Sequence, residues 1–307
     1  MNTLEWLLAG DPALVRLVKV HLLDESVPPT QDGLIGAYLS RFDASTGRFG
    51  NGVYSPKWIS THYTLLELID LEVDPHHPIV QAAMKTLLDG LWHPPVNAKQ
   101  RWLDACVAAM LIRMAAYARV KDPRVAAMLD YLLDHALPDG GYNCEWDRGA
   151  THSSVHTTMS AIDAFDELLL HPTECDTEVI RHARRRAEDF LLRKRLIRRE
   201  TTGELIHASM IDYHYPARWK YDVMRPLLHF AQTGFPEDPA MTPWIDDLLT
   251  RFTQGTLPKG PKIGGLTHFP LENERGRGRF TTLRGLIVLK RYRPEAYQRL
   301  IQLPQKG

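Results

Sequence analysis

Apolar residues along this chain follow helical spacing in two alternating styles. In the first they occupy one face: Val125, Met128, Leu129, Leu132 and Leu133 recur against Arg124, Asp130 and Asp134, the spacing of a helix with a single buried side. In the second, most of the circumference is apolar, over residues 57–71, 101–120, 153–170, 217–233 and 280–292. One-sided helices are announced by Asp-Pro pairs at Asp11-Pro12, Asp74-Pro75, Asp122-Pro123 and Asp238-Pro239. Aspartate is a good N-cap and proline is pre-shaped for the first helical position, so each pair predicts a helix start. Asp176 before Thr177 serves the same purpose without the proline.

The contrast predicts an outer layer of one-sided helices and an inner layer buried nearly all round. Their alternation, with a pseudo-repeat of about 45 to 65 residues, points to successive helix pairs. The predicted fold is all-α, an α/α toroid in which inner and outer helices close into a barrel, with one domain spanning 1–307. Strand signals are weak. Residues 33–52 and 202–215 read as irregular or short extended insertions, and 255–278, dense in Gly and Pro, as a long loop.

Charge alters this picture little. The 37 basic and 37 acidic residues cancel, so no overall field favours nucleic acid or an anionic membrane. The basic run within 181–199 is interrupted by Glu188 and Asp189 and backed by Phe190, Leu191 and Leu192, which predicts a solvated outer helix without a base-reading motif. The longest apolar run, near 105–118, is broken by Arg113 and is shorter than the roughly 20 residues of a membrane span, so no transmembrane segment is expected. Three irregularly spaced cysteines, Cys106, Cys144 and Cys175, with no signal-peptide pattern ahead of them, predict a reducing, cytoplasmic setting.

The stretch Pro138-Asp-Gly-Gly-Tyr-Asn-Cys-Glu-Trp146, followed by His152-Ser-Ser-Val-His-Thr-Thr158, resembles the glycine-aromatic turn and following inner helix of the terpenoid-cyclase and protein-prenyltransferase toroid superfamily. It is most similar to single-domain bacterial prenyltransferase-like, or squalene-cyclase-like, proteins. Trp58-Ile-Ser-Thr-His-Tyr-Thr64, Pro216-Ala-Arg-Trp-Lys-Tyr-Asp-Val223 and Thr281-Thr-Leu-Arg284 extend the resemblance over about residues 55 to 292. It implies a barrel around a central cavity that accepts a hydrophobic, isoprenoid-like molecule. The turn has its own physical reason: Gly140 and Gly141 permit positive φ and a tight exit from an outer helix, and Tyr142 can pack over the next turn. Two departures stand out. The Asp-x-Asp-Asp acid of class II cyclases is absent, Asp246-Asp247 lying in Trp-Ile-Asp-Asp on an outer helix. So is the Asp-Asp-x-x-Asp magnesium motif, which Asp163-Ala-Phe-Asp-Glu167 only loosely resembles.

Candidate chemistry gathers at the predicted inner-helix starts: Trp58, His62 and Tyr63; Trp102, Asp104 and Cys106; Asn143, His152, Ser153 and His156; Trp219, Tyr221 and Asp222; Arg279, Thr282 and Arg284. Aromatic walls with a few convergent polar groups describe a small-molecule pocket. Helix N-termini and two arginines suit an anionic group on the ligand. Alternatively, the Ser, Thr and Asp members simply cap their own helices. His62 and His156 are candidate acid–base groups with Asp104 or Asp222 as orienting carboxylates. His152 and His156 share a helical face, and with Cys144 they outline a possible zinc site; histidines so spaced also hydrogen-bond core carbonyls. No cofactor is required by the sequence. Two alternatives remain: a carbohydrate-active α/α barrel, needing paired carboxylates about 5 to 9.5 Å apart for which Asp104 and Asp222 are the evident pair, and a non-catalytic binding or scaffold protein.

Overall fold

A computed structural model of the chain describes residues 1–93, 103–171, 175–261, 263–271 and 276–304. It is all-helical apart from one short hairpin among these residues. In chain order the helices begin with α1 (Thr3–Leu8), α2 (Pro12–Leu23) and α3 (Leu34–Leu39). The hairpin strands β1 (Phe42–Asp43) and β2 (Arg48–Phe49) follow, paired antiparallel with Phe42 opposite Phe49. Then come α4 (Thr61–Asp70), α5 (Pro78–Leu91), α6 (Ala105–Tyr117), α7 (Pro123–Asp134), α8 (Val155–Leu170) and α9 (Thr177–Arg193). The last four are α10 (Met224–Gln232), α11 (Thr242–Arg251), α12 (Arg279–Tyr292) and α13 (Pro294–Gln302). Among the described residues no helix is long and apolar enough to cross a membrane.

The chain divides into two compact units. A terminal unit takes Met1–Ala37, Leu192–Gly264 and His268–Gly307, and a central unit takes Tyr38–Leu191 and Gly265–Thr267.

In the central unit α6 is the axis. Its sequence is apolar all round, so it buries ten of its residues and packs along α8 while touching α4, α5 and α7. Arg113, the polar interruption, is half-buried and pairs with Asp70 of α4 at 2.8 Å, with Asp163 and Glu167 of α8 also favouring its charge. The one-sided helices α5 and α7 bury Val80, Ala83, Met84, Leu87 and Leu88, and Val125, Met128, Leu129, Tyr131 and Leu132. The basic run lies on α9 as expected: Phe190 and Leu191 are buried, while Arg184 and Arg185 flank the buried Glu188 carboxylate at 3.4 and 3.7 Å.

In the terminal unit α12 holds the corresponding place, against α2, α10, α11 and α13. Gly285 lets it approach closely, because a Cβ there would stand 2.6 Å from Leu257 Cδ1. Asp11 is a double brace. One carboxylate oxygen caps α2 through the Ala13 amide, and the other takes the Leu34 amide at the head of α3, each at 2.9 Å.

Several predicted boundaries move. Asp122 and Asp176 cap α7 and the start of α9 as expected. Asp74 and Asp238 instead close turns onto His76 and Ala240, two residues ahead, and the helices begin later, at Pro78 and Thr242. The predicted helix over 217–233 shrinks to α10. Residues 217–223 are irregular, with Arg218 at φ 56°, and the Asp222 carboxylate takes the amides that open the helix. The 57–71 helix loses its first turn, since Trp58 has φ 76°. The 33–52 insertion holds the hairpin, but also α3.

Candidate functional site

In the central unit the head of α4 is tied to the loop before it. Thr61 Oγ1 donates to the Gly52 carbonyl at 2.7 Å and accepts from the Phe49 amide at 3.0 Å, while the His62 amide donates to the Val53 carbonyl at 2.9 Å. The Thr61 amide, like that of His62, finds its acceptor in this loop, at the Gly52 carbonyl, and the same ties carry Tyr54 onto the helix. Its ring centroid lies 5.1 Å from His62 and 5.3 Å from Tyr63. Trp58 meets Tyr63 edge-on at 4.8 Å. Gly265 leans on Trp58, where any Cβ would collide with the indole.

His62 sits inside this aromatic nest with no solvent exposure. Neither of its ring nitrogens has a hydrogen-bond partner among the described residues. Burial pushes its pKa down to about 3, so the ring is neutral at pH 7 and presents one N–H and one bare lone pair. An orphaned buried polar group costs about 1–3 kcal/mol. Burial raises the pKa of Tyr54, Tyr63 opposes by hydrogen bonding, and Cys106, Asp104 and Cys144 add to the rise. The nest therefore borders the start of α6.

The glycine turn leads to that border. Gly140 has φ 93° as expected, but Gly141 does not have a positive φ. It is glycine because a Cβ would stand 2.5 Å from Thr158 Oγ1 and 2.8 Å from Ser153 Cβ. Tyr142 is buried beside Phe165, its amide on Thr158 Oγ1 at 3.0 Å. Asn143 braces the loop by donating to the His152 carbonyl at 2.7 Å, and Ser153 binds Asp139 through its amide and hydroxyl. Cys144 Sγ lies 3.3 Å from the Cys106 amide and 3.3 Å from Thr157 Oγ1.

His152 is exposed and His156 half-buried. Among the described residues no three His, Cys, Asp or Glu side chains are grouped as a metal ion would need. Asp104 is the N-cap residue of α6, its carbonyl taking the Val107 and Ala108 amides, and no side-chain cap bond forms.

The remaining candidates belong to the terminal unit. Asp222 is fully buried. One carboxylate oxygen takes the His214 amide at 2.8 Å and faces His214 Nδ1 at 3.3 Å; the other takes the amides of Met224 and Arg225 at 3.1 and 3.3 Å. Arg284 donates to the His214 carbonyl at 3.0 Å and lies over Tyr215, which stacks on Phe280. Tyr221 donates to the Leu196 carbonyl, and Thr282 accepts the Leu257 amide. Arg279 reaches the Trp6 carbonyl and covers the Trp6 ring, while the Trp219 carbonyl accepts from Arg225. These are bracing roles. An aspartate holding three amides and an imidazole organises a loop and has little left for a substrate.

No family model and no curated protein matches the chain.

The predicted residues thus divide between the units: Trp58, His62, Tyr63, Asp104, Asn143, Cys144, His152, Ser153 and His156 in the central one, Trp219, Tyr221, Asp222, Arg279 and Thr282 in the terminal one. Trp102 lies outside the described residues. Sequence reasoning missed Tyr54, three residues ahead of the predicted helix, and His214, the ring beside Asp222. It also missed a second aromatic group of Trp92, Tyr131, His135 and Trp146. There Trp146 donates to the Tyr131 hydroxyl at 2.9 Å and His135 lies 3.6 Å from the Trp146 ring.

Proposed function

We propose that the chain binds a hydrophobic, isoprenoid-like small molecule at the His62 nest, with the ligand's neutral polar group on an imidazole nitrogen and its apolar body against aromatic side chains. The observation that carries this reading is the fully buried His62 with both nitrogens unpartnered among the described residues. A neutral ring offers a donor and an acceptor, the complement of a hydroxyl or carbonyl, and pairing with it relieves the cost of the orphaned nitrogens. An α/α toroid of the terpenoid-cyclase and prenyltransferase kind belongs to the same proposal. The alternation of all-round-buried helices with one-sided helices supports it.

His62 acts here by hydrogen bonding. A ring whose conjugate acid has a pKa of about 3 is a weak base at neutral pH, far from the match to operating pH that general-base work favours. Asp222, bound to His214 and three amides, is held away from acid–base service by the same bonds. That also deprives the carbohydrate reading of one of its two carboxylates.

The test is titration of the protein with farnesol and farnesyl diphosphate by calorimetry. Farnesol is expected to bind more tightly than the diphosphate. His62→Phe, which keeps an aromatic ring and removes both nitrogens, is expected to weaken farnesol binding about tenfold, as loss of one buried hydrogen bond does. Equal farnesol affinity in the two proteins, or no binding to wild type, refutes the proposal.

A further inference from the structure

The ligand reading leaves two sulfurs unused. Cys106 is the second residue of α6, so its amide points out of the helix end without an intrahelical acceptor. Cys144, in the loop after the glycine turn, places Sγ 3.3 Å from that amide. Thr157, in the first turn of α8, brings its hydroxyl to 3.3 Å from the same sulfur. The Cys106 side chain is close enough to Cys144 for each to shift the other's pKa. One sulfur thus collects an amide and a hydroxyl at a helix N-terminus, a setting that stabilises thiolate. Both cysteines are partly exposed, as is Cys175, which precedes α9 in the chain.

We propose that Cys144 and Cys106 form a peroxide-oxidised dithiol, with Cys144 the attacking thiolate and Cys106 the resolving thiol. The Cys144 thiolate attacks one oxygen of hydrogen peroxide, the O–O bond breaks, and with one proton taken up the products are Cys144 sulfenic acid and water. The Cys106 thiol then attacks the sulfenic sulfur. An S–S bond forms, the S–O bond breaks, and hydroxide leaves with the thiol proton as a second water. In sum two thiols lose two electrons and two protons, and one peroxide becomes two waters.

The roles follow from the surroundings of each sulfur: the Cys106 amide and the Thr157 hydroxyl both face Cys144. The Cys144 thiol is held below its ordinary pKa, chiefly by Cys106 and then by Thr157 against burial, while Cys144 and burial push Cys106 up. With Sγ of Cys144 3.3 Å from the Cys106 amide, the two side chains lie within reach of each other. The resulting disulfide staples the head of α6 to the loop before α8, beside the His62 nest, yet its chemistry is independent of any ligand there.

The test uses the full wild-type chain, reduced, desalted and titrated with hydrogen peroxide. Trypsin leaves the three cysteines on separate peptides, 102–113, 125–148 and 149–181. The expected result is a 102–113/125–148 cross-link that grows with peroxide and disappears with dithiothreitol, while Cys175 stays open to alkylation and the far-ultraviolet circular dichroism is unchanged. In Cys106→Ser the reaction should stop at a Cys144 sulfenic acid trapped by dimedone. The proposal is overturned if Cys106 and Cys144 both remain alkylatable at peroxide levels that oxidise Cys175, if Cys175 provides the partner, or if the cross-link forms only with loss of helical signal.

Discussion

Replacing His62 by phenylalanine should make the protein less sensitive to acid. The imidazole has an ordinary pKa near 6.5 in the unfolded chain, and burial lowers it to about 3 in the fold. Between those values the unfolded chain takes up a proton that the folded protein refuses, so stability falls as the pH drops from about 6.5 toward 3. At pH 4 the gap amounts to roughly 2.5 units, or about 3 kcal/mol at 1.36 kcal/mol per unit. That is a large share of the 5–15 kcal/mol typical of a folded protein. The assay is urea unfolding followed by circular dichroism at pH 7 and pH 4 in both proteins. Wild type should lose about 3 kcal/mol more than His62→Phe over that interval, because other titrating groups are shared and cancel. Any repacking around the larger ring is the same at both pH values and drops out. Equal losses would mean that His62 is protonated in the fold or paired with an acid, and the reasoning from its burial would fail.

Other consequences are independent of His62. Glu167, raised to about 7 chiefly by burial against the opposing pull of Arg113 and Arg119, has the opposite sign: its contribution is fully present below about 4.5 and is lost as pH rises through 7. Glu167→Gln should therefore flatten the decline in urea stability between pH 5 and 8 and gain about 1–2 kcal/mol at pH 8, allowing for its partial exposure; an unchanged slope refutes this. Gly141→Ala should cost about 2–3 kcal/mol in urea unfolding, because its Cβ meets Thr158 and Ser153. Asp222→Ala, which strands the buried amides of His214, Met224 and Arg225, should cost at least about 3 kcal/mol, against less than about 1 kcal/mol if solvent reaches those amides.

What was legible in the sequence was local. Asp11 and Asp122 cap the helices that directly follow them because a cap is a contact between near neighbours. Asp74 and Asp238 carry the same signal, but a short aspartate turn satisfies the same side chain, and the choice was decided by where the next helix packs. The all-round apolar pattern marked α6, α8 and α12 correctly because burial on every side is written in composition. The pattern over 217–233 misled, since its apolar residues are buried by a loop wound around Asp222. His62 was picked out by type and position. That its nitrogens go unpartnered among the described residues follows from tertiary neighbours, Tyr54 above all, which no spacing rule places. The pairing of Cys106 with Cys144, 38 residues apart, is equally a product of packing, of α6 on α8.

The most direct test of His62 is nitrogen NMR of its imidazole, assigned by the signal missing in His62→Phe. The ring should stay neutral from pH 7 to below pH 5, and one ring nitrogen should shift when farnesol is added while Asp222-linked His214 does not. A His62 that titrates near pH 6.5, or that ignores farnesol at saturation, would contradict the assignment.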